Sequence, residues 1–479
     1  MRLSGPVEKP GFFWLPQDQE NQVPGILRIS KSGEATLEIS YSYNPVLSLL
    51  SEPPLGHSPV GSPIDRICGI AGNSRLTLDR CFRVSGSQVS GDGVSTSTIR
   101  AEYAFLGVNF EEGEIVTFSS VQFSVEGLDE WLRISGFHTS EDWAEKRTAI
   151  DFTLPDEINH HLPDGFDLKL SFSATLPAIT AAMEARIVQK AHITLIPGDL
   201  RPLDDFLTLV LRLHNFLRLA IDKPISVDSV TGYSKEKTGS LAEGKTYQIP
   251  IKLFFQGPPY AEEKPETLWF RMLFSRRDVA DQLEGMLCTW LKNYTVHESA
   301  FNLYFASISG ASTYLESKFL SLVQGIEVLH RRAFPGTQMG KDEFAELLDM
   351  AVCAIPPDRR EWLQDRLKYA NELPLRRRIK QMVDPFKHSF GEARKRKSFV
   401  SKVTDTRNYL THYDRALASR AVEGKDLWNL CLKLEALFQM HLLRLMGMGI
   451  DSIRSIANEN QALRFKLGME DSEPSERSG

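Results

Sequence analysis

The sequence predicts a multidomain α+β protein: an antiparallel, β-rich N-terminal region of sandwich or barrel-like form with one inserted helix, then an all-α helical bundle. Three observations predict it. Apolar and polar residues alternate through most of residues 10–274, the signature of half-buried strands. Near residue 275 the apolar spacing changes to i, i+3, i+4 and stays there. The strands follow one another without the crossover helices that a doubly wound sheet requires. The domain limits are therefore 10–274 for the β-rich region, 275–465 for the helical one and 466–479 for a disordered tail, in which the stretch from Asp471 has nothing to bury.

Taken in order, residues 11–41 open with aromatics and prolines. Two strands follow, Gly25–Ser30 and Ala35–Tyr41, joined at Lys31-Ser32-Gly33-Glu34, with Leu37, Ile39 and Tyr41 on one face. Residues 43–65, rich in Pro, Gly and Ser, read as a loop. Ile67–Ile70 and Leu76–Val84 are strands, and Gly86–Ser97 is a polar insertion without an element of its own. Strand patterns resume at Ile99–Phe110, Ile115–Val125 and Trp131–Ile134, then at Phe166–Phe172 and Ala185–Leu195. The inserted helix is Leu203–Ala220, with Asp204 and Asp205 in its first turn to complement the helix dipole. Residues 223–274 return to short strands, the clearest being Tyr247–Phe255.

From there the stripe of packed helices recurs in Val279–Leu291, Tyr314–Phe334, Lys341–Ala354, Arg359–Asn371, Leu373–Val383, Arg394–Thr411 and Lys425–Leu445. His330 and His441 lie on apolar faces and read as core or capping histidines.

The chain has 479 residues, 42% of them hydrophobic, enough for two or three cores. Its net charge of -6 excludes a general nucleic-acid binder, so any RNA site is a local patch. Cys68, Cys81, Cys288, Cys353 and Cys431 have no metal-ligand spacing, and mostly buried thiols of a reduced cytosolic protein account for them; only another, oxidising compartment would join Cys68 to Cys81. No signal-peptide core and no apolar run of membrane length is present, so a cytoplasmic protein without a membrane partner is expected. His160-His161, in an expected loop, lacks a third ligand at a recognisable interval, and no phosphate-binding loop occurs, so no metal and no cofactor is expected.

The chemistry concentrates late in the chain, at Arg407-Asn408-x-x-x-His412 on the Arg394–Thr411 helix. Cleaving a phosphodiester needs a group of near-neutral pKa to move a proton and a fixed cation for the developing phosphorane charge. His412 suits the first task and Arg407 the second, by a bidentate grip on non-bridging oxygens; Asn408 would orient the imidazole or bind phosphate. Asn408 and His412 are one helical turn apart, but Arg407 and His412 point about 140° away from each other. Either the Arg side chain curls round, or the helix ends near His412, or two copies of the motif meet. On residue types alone, a helix cap with interhelical hydrogen bonds explains the same three residues.

Just upstream, Arg376, Arg377, Arg378, Lys380, Lys387, Arg394, Lys395, Arg396 and Lys397 stand against two acids, Asp384 and Glu392, for a local charge of +7. A solvated helical face accounts for such a run, and so does a groove that tracks phosphates, since each one neutralised releases counterions. Phe386, His388 and Phe390 are candidates to stack on unpaired bases or, for the phenylalanines, to fill the core.

Arg407-Asn408-x-x-x-His412, set near a helix end and followed by the apolar helix of residues 424–446, resembles the Arg-x4-6-His signature of HEPN ribonucleases. Over residues 10–450, with the opening Gly11-Phe12-Phe13-Trp14-Leu15-Pro16, the chain resembles the ApeA-like proteins of bacterial antiphage defence. The resemblance implies a HEPN-like bundle in which Arg407 and His412 are the catalytic pair and Asn408 their polar companion. It also implies a homodimer or higher oligomer with a composite RNA cleft, transfer RNA as a substrate class, abortive infection as the outcome, and an N-terminal region that restrains the enzyme until a phage-derived trigger arrives. The expected activity is a metal-independent endoribonuclease leaving 2',3'-cyclic phosphate ends. Two readings stand against it: a non-catalytic RNA-binding or protein-interaction module, and a carbohydrate- or ligand-binding sandwich with an accessory helical domain.

Overall fold

The structure, a computed structural model, describes residues 1–42, 61, 63–87, 94–177, 183, 185–240, 244–257, 263–309, 314–413 and 415–469. The chain divides into two compact units, Met1–Glu284 and Gly285–Gly479. Between the last strand and the first long helix of the chain, three 3-10 turns, Trp269–Arg271, Arg276–Asp278 and Ala280–Gln282, stay with the first unit. Leu273 N–H there donates to Ala220 O at 2.8 Å.

The first unit begins with six antiparallel strands, β1 (Val7–Trp14), β2 (Val23–Ile29), β3 (Ala35–Ser42), β4 (Pro63–Ala71), β5 (Ser74–Ser87) and β6 (Val94–Leu106). They pair in the ring β1-β2-β3-β6-β5-β4-β1, a closed barrel without free edges. Alternation fills it: Leu27, Ile29, Leu37, Ile39, Ile99 and Phe105 are buried, while Glu38 and Arg28 face out. Gly33 makes the β2–β3 turn at φ 84°, and a Cβ there would meet Phe255 O at 2.4 Å, so only glycine closes this hairpin.

Past residue 101, β6 carries a second sheet. Its Tyr103–Leu106 end pairs with β18 (Ile251–Phe255), followed by β15 (Val227–Tyr233), β8 (Ser120–Val125), β13 (Val188–Pro197), β12 (Phe166–Thr175) and β11 (Ile158–His161), all antiparallel. Three two-stranded pairs stand apart: the hairpins β9 (Phe137–Asp142) with β10 (Arg147–Phe152) and β16 (Thr238–Ser240) with β17 (Thr246–Gln248), and the long-range pair β7 (Thr117–Phe118) with β14 (Arg201–Pro202). The inserted helix, α2 (Leu203–Ile221), follows α1 (Leu128–Leu132) in chain order. Phe206 of α2 sits edge-on to Phe118 and Phe166, and Phe216 edge-on to Trp131 and Phe274.

Several local expectations change. Trp131–Ile134 is not a strand: Leu128, Trp131 and Leu132 recur at helical spacing, and Gly127 (φ 77°) and Arg133 (φ 54°) close the single helix turn of α1 at both ends. Gly86–Ser97 is not free of structure, because β5 and β6 run into it, with Gly86 opposite Ser97 and Ser87 opposite Thr96. There the Ser87 and Thr96 hydroxyls lie 2.9 Å apart, so polar side chains sustain the ladder that apolar alternation did not reveal. Of the loop expected at 43–65, Pro63–Asp65 belongs to β4, and 43–60 and 62 lie outside the described residues, as do 88–93. His160 and His161 end strand β11 and are not in a loop. Cys68 faces Thr77 and Cys81 faces Ile64 across the β4–β5 pair, so the two buried thiols are not opposed.

The second unit is helical: α3 (Leu283–Ser307), which begins at the unit boundary, α4 (Leu315–Ala333), α5 (Lys341–Cys353), α6 (Arg360–Leu367), α7 (Leu375–Val383), α8 (Ala393–His412), α9 (Gly424–Leu445), α10 (Ile450–Glu459) and α11 (Gln461–Leu467). α9 is buried along most of its length, from Leu427 to Leu443. α4 meets it at Gly325, where a Cβ would stand 2.8 Å from the Phe438 ring. α7 and α8 pack beside α4, and Ile379, Met382, Phe399, Val400 and Val403 of the two helices are buried. α11 extends to buried Leu467, and the tail expected from Asp471 lies outside the described residues.

Candidate functional site

α8 carries the motif. Phe399, Val400, Val403 and Thr406 recur at steps of one, three and three residues and form its buried side, which fixes the rotation of the helix. The helix is continuous through Arg407 and Asn408 and ends at His412, where Tyr413 takes the left-handed conformation (φ 50°) and its N–H donates to Tyr409 O at 2.6 Å. Thr406, fully buried, accepts a hydrogen bond from Val422 N–H at 3.1 Å and ties the segment before α9 to α8. His412 is exposed, and Arg407 and Asn408 are half-buried.

Arg407 turns toward α4. Its Nη2 lies 3.9 Å from Glu327 Oε2, and its Nη1 donates to Asn408 Oδ1 at 3.3 Å. Glu327 also receives Arg331 at 3.3 Å, and Arg331 reaches Glu372 at 2.7 Å. Glu372 in turn holds Arg378, which is buried. Arg378 completes the set by donating to Leu373 O at 2.8 Å and to His330 Nδ1 at 3.3 Å, while His330 Nε2–H donates to Gln381 Oε1 at 2.7 Å. Burial holds His330 below its ordinary pKa, consistent with a neutral ring that accepts at Nδ1 and donates at Nε2. The guanidinium of Arg407 is thus the outer end of a charge network that runs through α4 and α7.

The nine basic residues divide. Arg378 faces inward and is not part of the surface. Arg376 is clamped to Ser401 Oγ at 2.7 Å and to Asp405 at 3.3 Å, joining α7 to α8. Arg396 donates to the Gly391 carbonyl. Arg377, Lys380, Lys387, Arg394, Lys395 and Lys397 are exposed. Arg376, Arg377, Lys380, Val383 and Asp384 of the α7 side and Ala393, Arg396, Lys397 and Val400 of α8 recur at helical spacing and line a groove of about 700 Å³. Phe386 and Phe390 are buried core residues and not base platforms, whereas His388 is exposed.

Other candidates fall away from this cluster. His441 is buried between Phe334 and Phe386, and its Nε2 donates to Met382 O at 2.8 Å. His161 pairs with Asp167 at 2.7 Å and His160 stands 3.6 Å from Glu284. Among the described residues no cluster of His, Cys, Asp or Glu has the arrangement of a metal site. A polar cleft of about 320 Å³ in the first unit is lined by Arg66, Asp79, Asp65, Glu112 and Glu114 with Leu15, Pro16, Gln17, Pro63, Ile64 and Gly113, none of them aromatic. No helix among the described residues is long and apolar enough to cross a membrane.

Sequence reasoning did not single out Glu327, Asp405 or Thr406 as partners of the motif. Only Glu327 left a trace, its i, i+4 spacing to Arg331; the partners of Asp405 and Thr406 come from the packing of distant helices.

Comparison with known families agrees with this architecture. The family model for ApeA N-terminal domain 1 matches residues 8–290, and that for the Apea-like HEPN domain matches residues 320–450, which contain Glu327, the groove and α8. No curated protein and no solved structure matches the chain. A β-barrel region matched over more than half the chain, followed by a helical unit that carries the Arg-Asn-x-x-x-His motif, places this chain in the ApeA family of HEPN-domain proteins.

Proposed function

We propose that the protein is an endoribonuclease of antiphage defence, acting through Arg407 and His412. The carrying observation is that an exposed histidine ends the helix on which a half-buried arginine is oriented by Glu327 and Asn408, within an Apea-like HEPN domain. In the reaction, His412 takes the proton of a ribose 2'-hydroxyl as that oxygen forms a bond to the adjacent phosphorus. Arg407 and Asn408 donate to the non-bridging oxygens as the charge of the phosphorane builds. The bond from phosphorus to the 5'-oxygen breaks, that oxygen takes up a proton, and the products are a 2',3'-cyclic phosphate and a 5'-hydroxyl. These steps need an imidazole, a guanidinium and RNA; they call for no cofactor.

The separation of about 140° between Arg407 and His412 on a continuous helix supports a site assembled from two copies of the chain. A second imidazole then protonates the leaving oxygen. The exposed cations of α7 and α8 supply phosphate contacts, transfer RNA is a substrate class that fits them, and the N-terminal barrel unit restrains the enzyme until a phage-derived signal reaches it.

The test is incubation of the wild type and of His412→Ala with mixed cellular RNA, with and without EDTA, followed by end-group analysis. Cyclic phosphate ends from the wild type alone, made equally in EDTA, are expected. Cutting of DNA at the same rate, or ends from both proteins, would remove the proposal.

A further inference from the structure

The groove between α7 and α8 has a composition that phosphate tracking alone does not require. Its floor is apolar, and because Val383 and Val400 are themselves almost fully buried, the aliphatic stems of Arg377, Lys380 and Lys397, which are exposed around it, supply most of that surface. Asp384 adds a hydrogen-bond acceptor to the same wall. A strip that bound only phosphates would be cationic and shallow. A cavity of about 700 Å³ with an apolar floor, a cationic rim and one acceptor instead matches an unpaired nucleotide, with the base on the floor, an amino or imino N–H toward the carboxylate, and its phosphates on the rim. A paired base has its Watson–Crick edge engaged and its faces stacked on neighbours, so it cannot lie on such a floor.

One edge of the groove, at Lys397, shares a line with the motif. Lys397, Ser401, Asn408 and His412 fall within about 60° of one another around α8, and Lys397 to His412 spans about 22 Å of helix rise. Arg376, bridging Ser401 and Asp405, lies along that line and presents a guanidinium between the two ends. Lys397, Arg376 and His412 thus mark out one side of α8 from the edge of the groove to the end of the helix.

We infer that the α7–α8 groove is a base-binding subsite that holds one unpaired nucleotide of the RNA a few nucleotides away from the scissile phosphate, and so selects single-stranded segments. The inference rests on the ribonuclease reading for the strand's destination, but its test reads binding alone. Full-length His412→Ala protein is titrated with a labelled short single-stranded RNA, the same RNA as a duplex, and an abasic chain of equal length and charge. The single strand is expected to bind at least about fivefold more tightly than the abasic chain, the gain from burying roughly 40 Å² of one base, and more tightly than the duplex. Arg377→Glu with Lys380→Glu should erase that preference and lower the salt dependence of binding by about one to two released ions. Lys397→Glu, on the opposite wall and equally exposed, should act in the same direction. Equal binding of the three probes, or a preference that survives both sets of changes, would overturn the subsite. Cyclic phosphate ends in the wild type with equal probe binding would sink the subsite and leave the ribonuclease standing. Selective binding without any cutting would do the reverse.

Discussion

Glu327 of α4 faces the Arg407 guanidinium at 3.9 Å while it also accepts Arg331 of its own helix at 3.3 Å. The carboxylate holds Arg407 in place, and it also competes with any phosphate that approaches the same guanidinium. Glu327→Gln keeps the shape and removes the competing charge, leaving Arg331 with Glu372 and Arg407 with Asn408. Because the pair is partly solvated it is worth no more than about 1 kcal/mol, so RNA binding by the His412→Ala, Glu327→Gln protein should tighten by up to about fivefold. Fluorescence anisotropy at fixed salt measures this, and weaker binding would show that orientation outweighs charge competition.

Thr406 fixes where α8 ends relative to α9. Its buried hydroxyl accepts the Val422 N–H at 3.1 Å, and Thr406→Val fills the same space while orphaning that donor. An unsatisfied buried group costs about 1 to 3 kcal/mol, and because this bond is only partly buried the low end applies, about 0.5 to 1.5 kcal/mol. Denaturant unfolding should show a loss in that range, and a change below about 0.5 kcal/mol would mean that the N–H finds another partner.

The helix that bears Arg407 and His412 could be read from the sequence because Phe399, Val400 and Val403 repeat at helical spacing, and the charge of +7 upstream is visible as composition. What could not be read was which cations face solvent. Arg378 differs from its neighbours Arg376 and Arg377 only in helical phase, and the phase is set by Ile379 and Met382 packing in the core. The barrel strands were legible where Leu37, Ile39 and Ile99 alternate, and illegible at Ser95–Ser97, where a ladder of Ser and Thr carries no hydrophobic period. The single turn of α1 reads as a strand in the sequence because a Trp-Leu-x-Ile run suits both periods over so short a length.

His441 makes the helical unit sensitive to acid. Burial lowers its pKa from 6.5 to about 4, so the native state favours the neutral ring that donates to Met382 O, whereas the unfolded chain binds a proton near pH 6.5. The folded-state pKa is depressed; this stabilisation is complete above about pH 6.5 and disappears as pH falls toward 4, a loss of about 3 kcal/mol. His441→Gln removes the titrating group and can still donate to Met382 O. Urea unfolding between those pH values should show a slope smaller by about 1.4 kcal/mol per pH unit in the variant. Equal slopes would place the acid sensitivity elsewhere.

Gly325 lets α4 approach α9. In an exposed helix, alanine for glycine stabilises by about 1 kcal/mol, but here the added Cβ meets Phe438 Cε2 at 2.8 Å and Leu303 Cβ at 3.3 Å. Overpacking costs about 1 to 3 kcal/mol, so Gly325→Ala should lower stability despite the gain in helix propensity. A raised melting temperature would show that the Phe438 ring has room to turn.

The last expectation concerns the division of labour between two copies of the chain. α8 runs unbroken through Arg407 to His412, Arg407 is drawn toward Glu327 on α4, and His412 lies about 140° round the helix, on the stripe of Asn408 and Lys397. If the reacting arginine and histidine come from different copies, a mixture of Arg407→Ala and His412→Ala proteins contains heterodimers with one intact pair: the arginine of the second variant and the histidine of the first. Neither variant has an intact pair within its own chain, and each alone should lose about a hundredfold or more in rate, as removal of a general base or an electrostatic stabiliser does. Mixing the two, with subunit exchange verified by mass spectrometry, should therefore raise cleavage well above that of either variant alone, while leaving it below the wild-type rate because a single imidazole remains. Activity that stays at the level of the separate variants after complete exchange would mean that each chain acts alone, with Arg407 reaching round to its own His412.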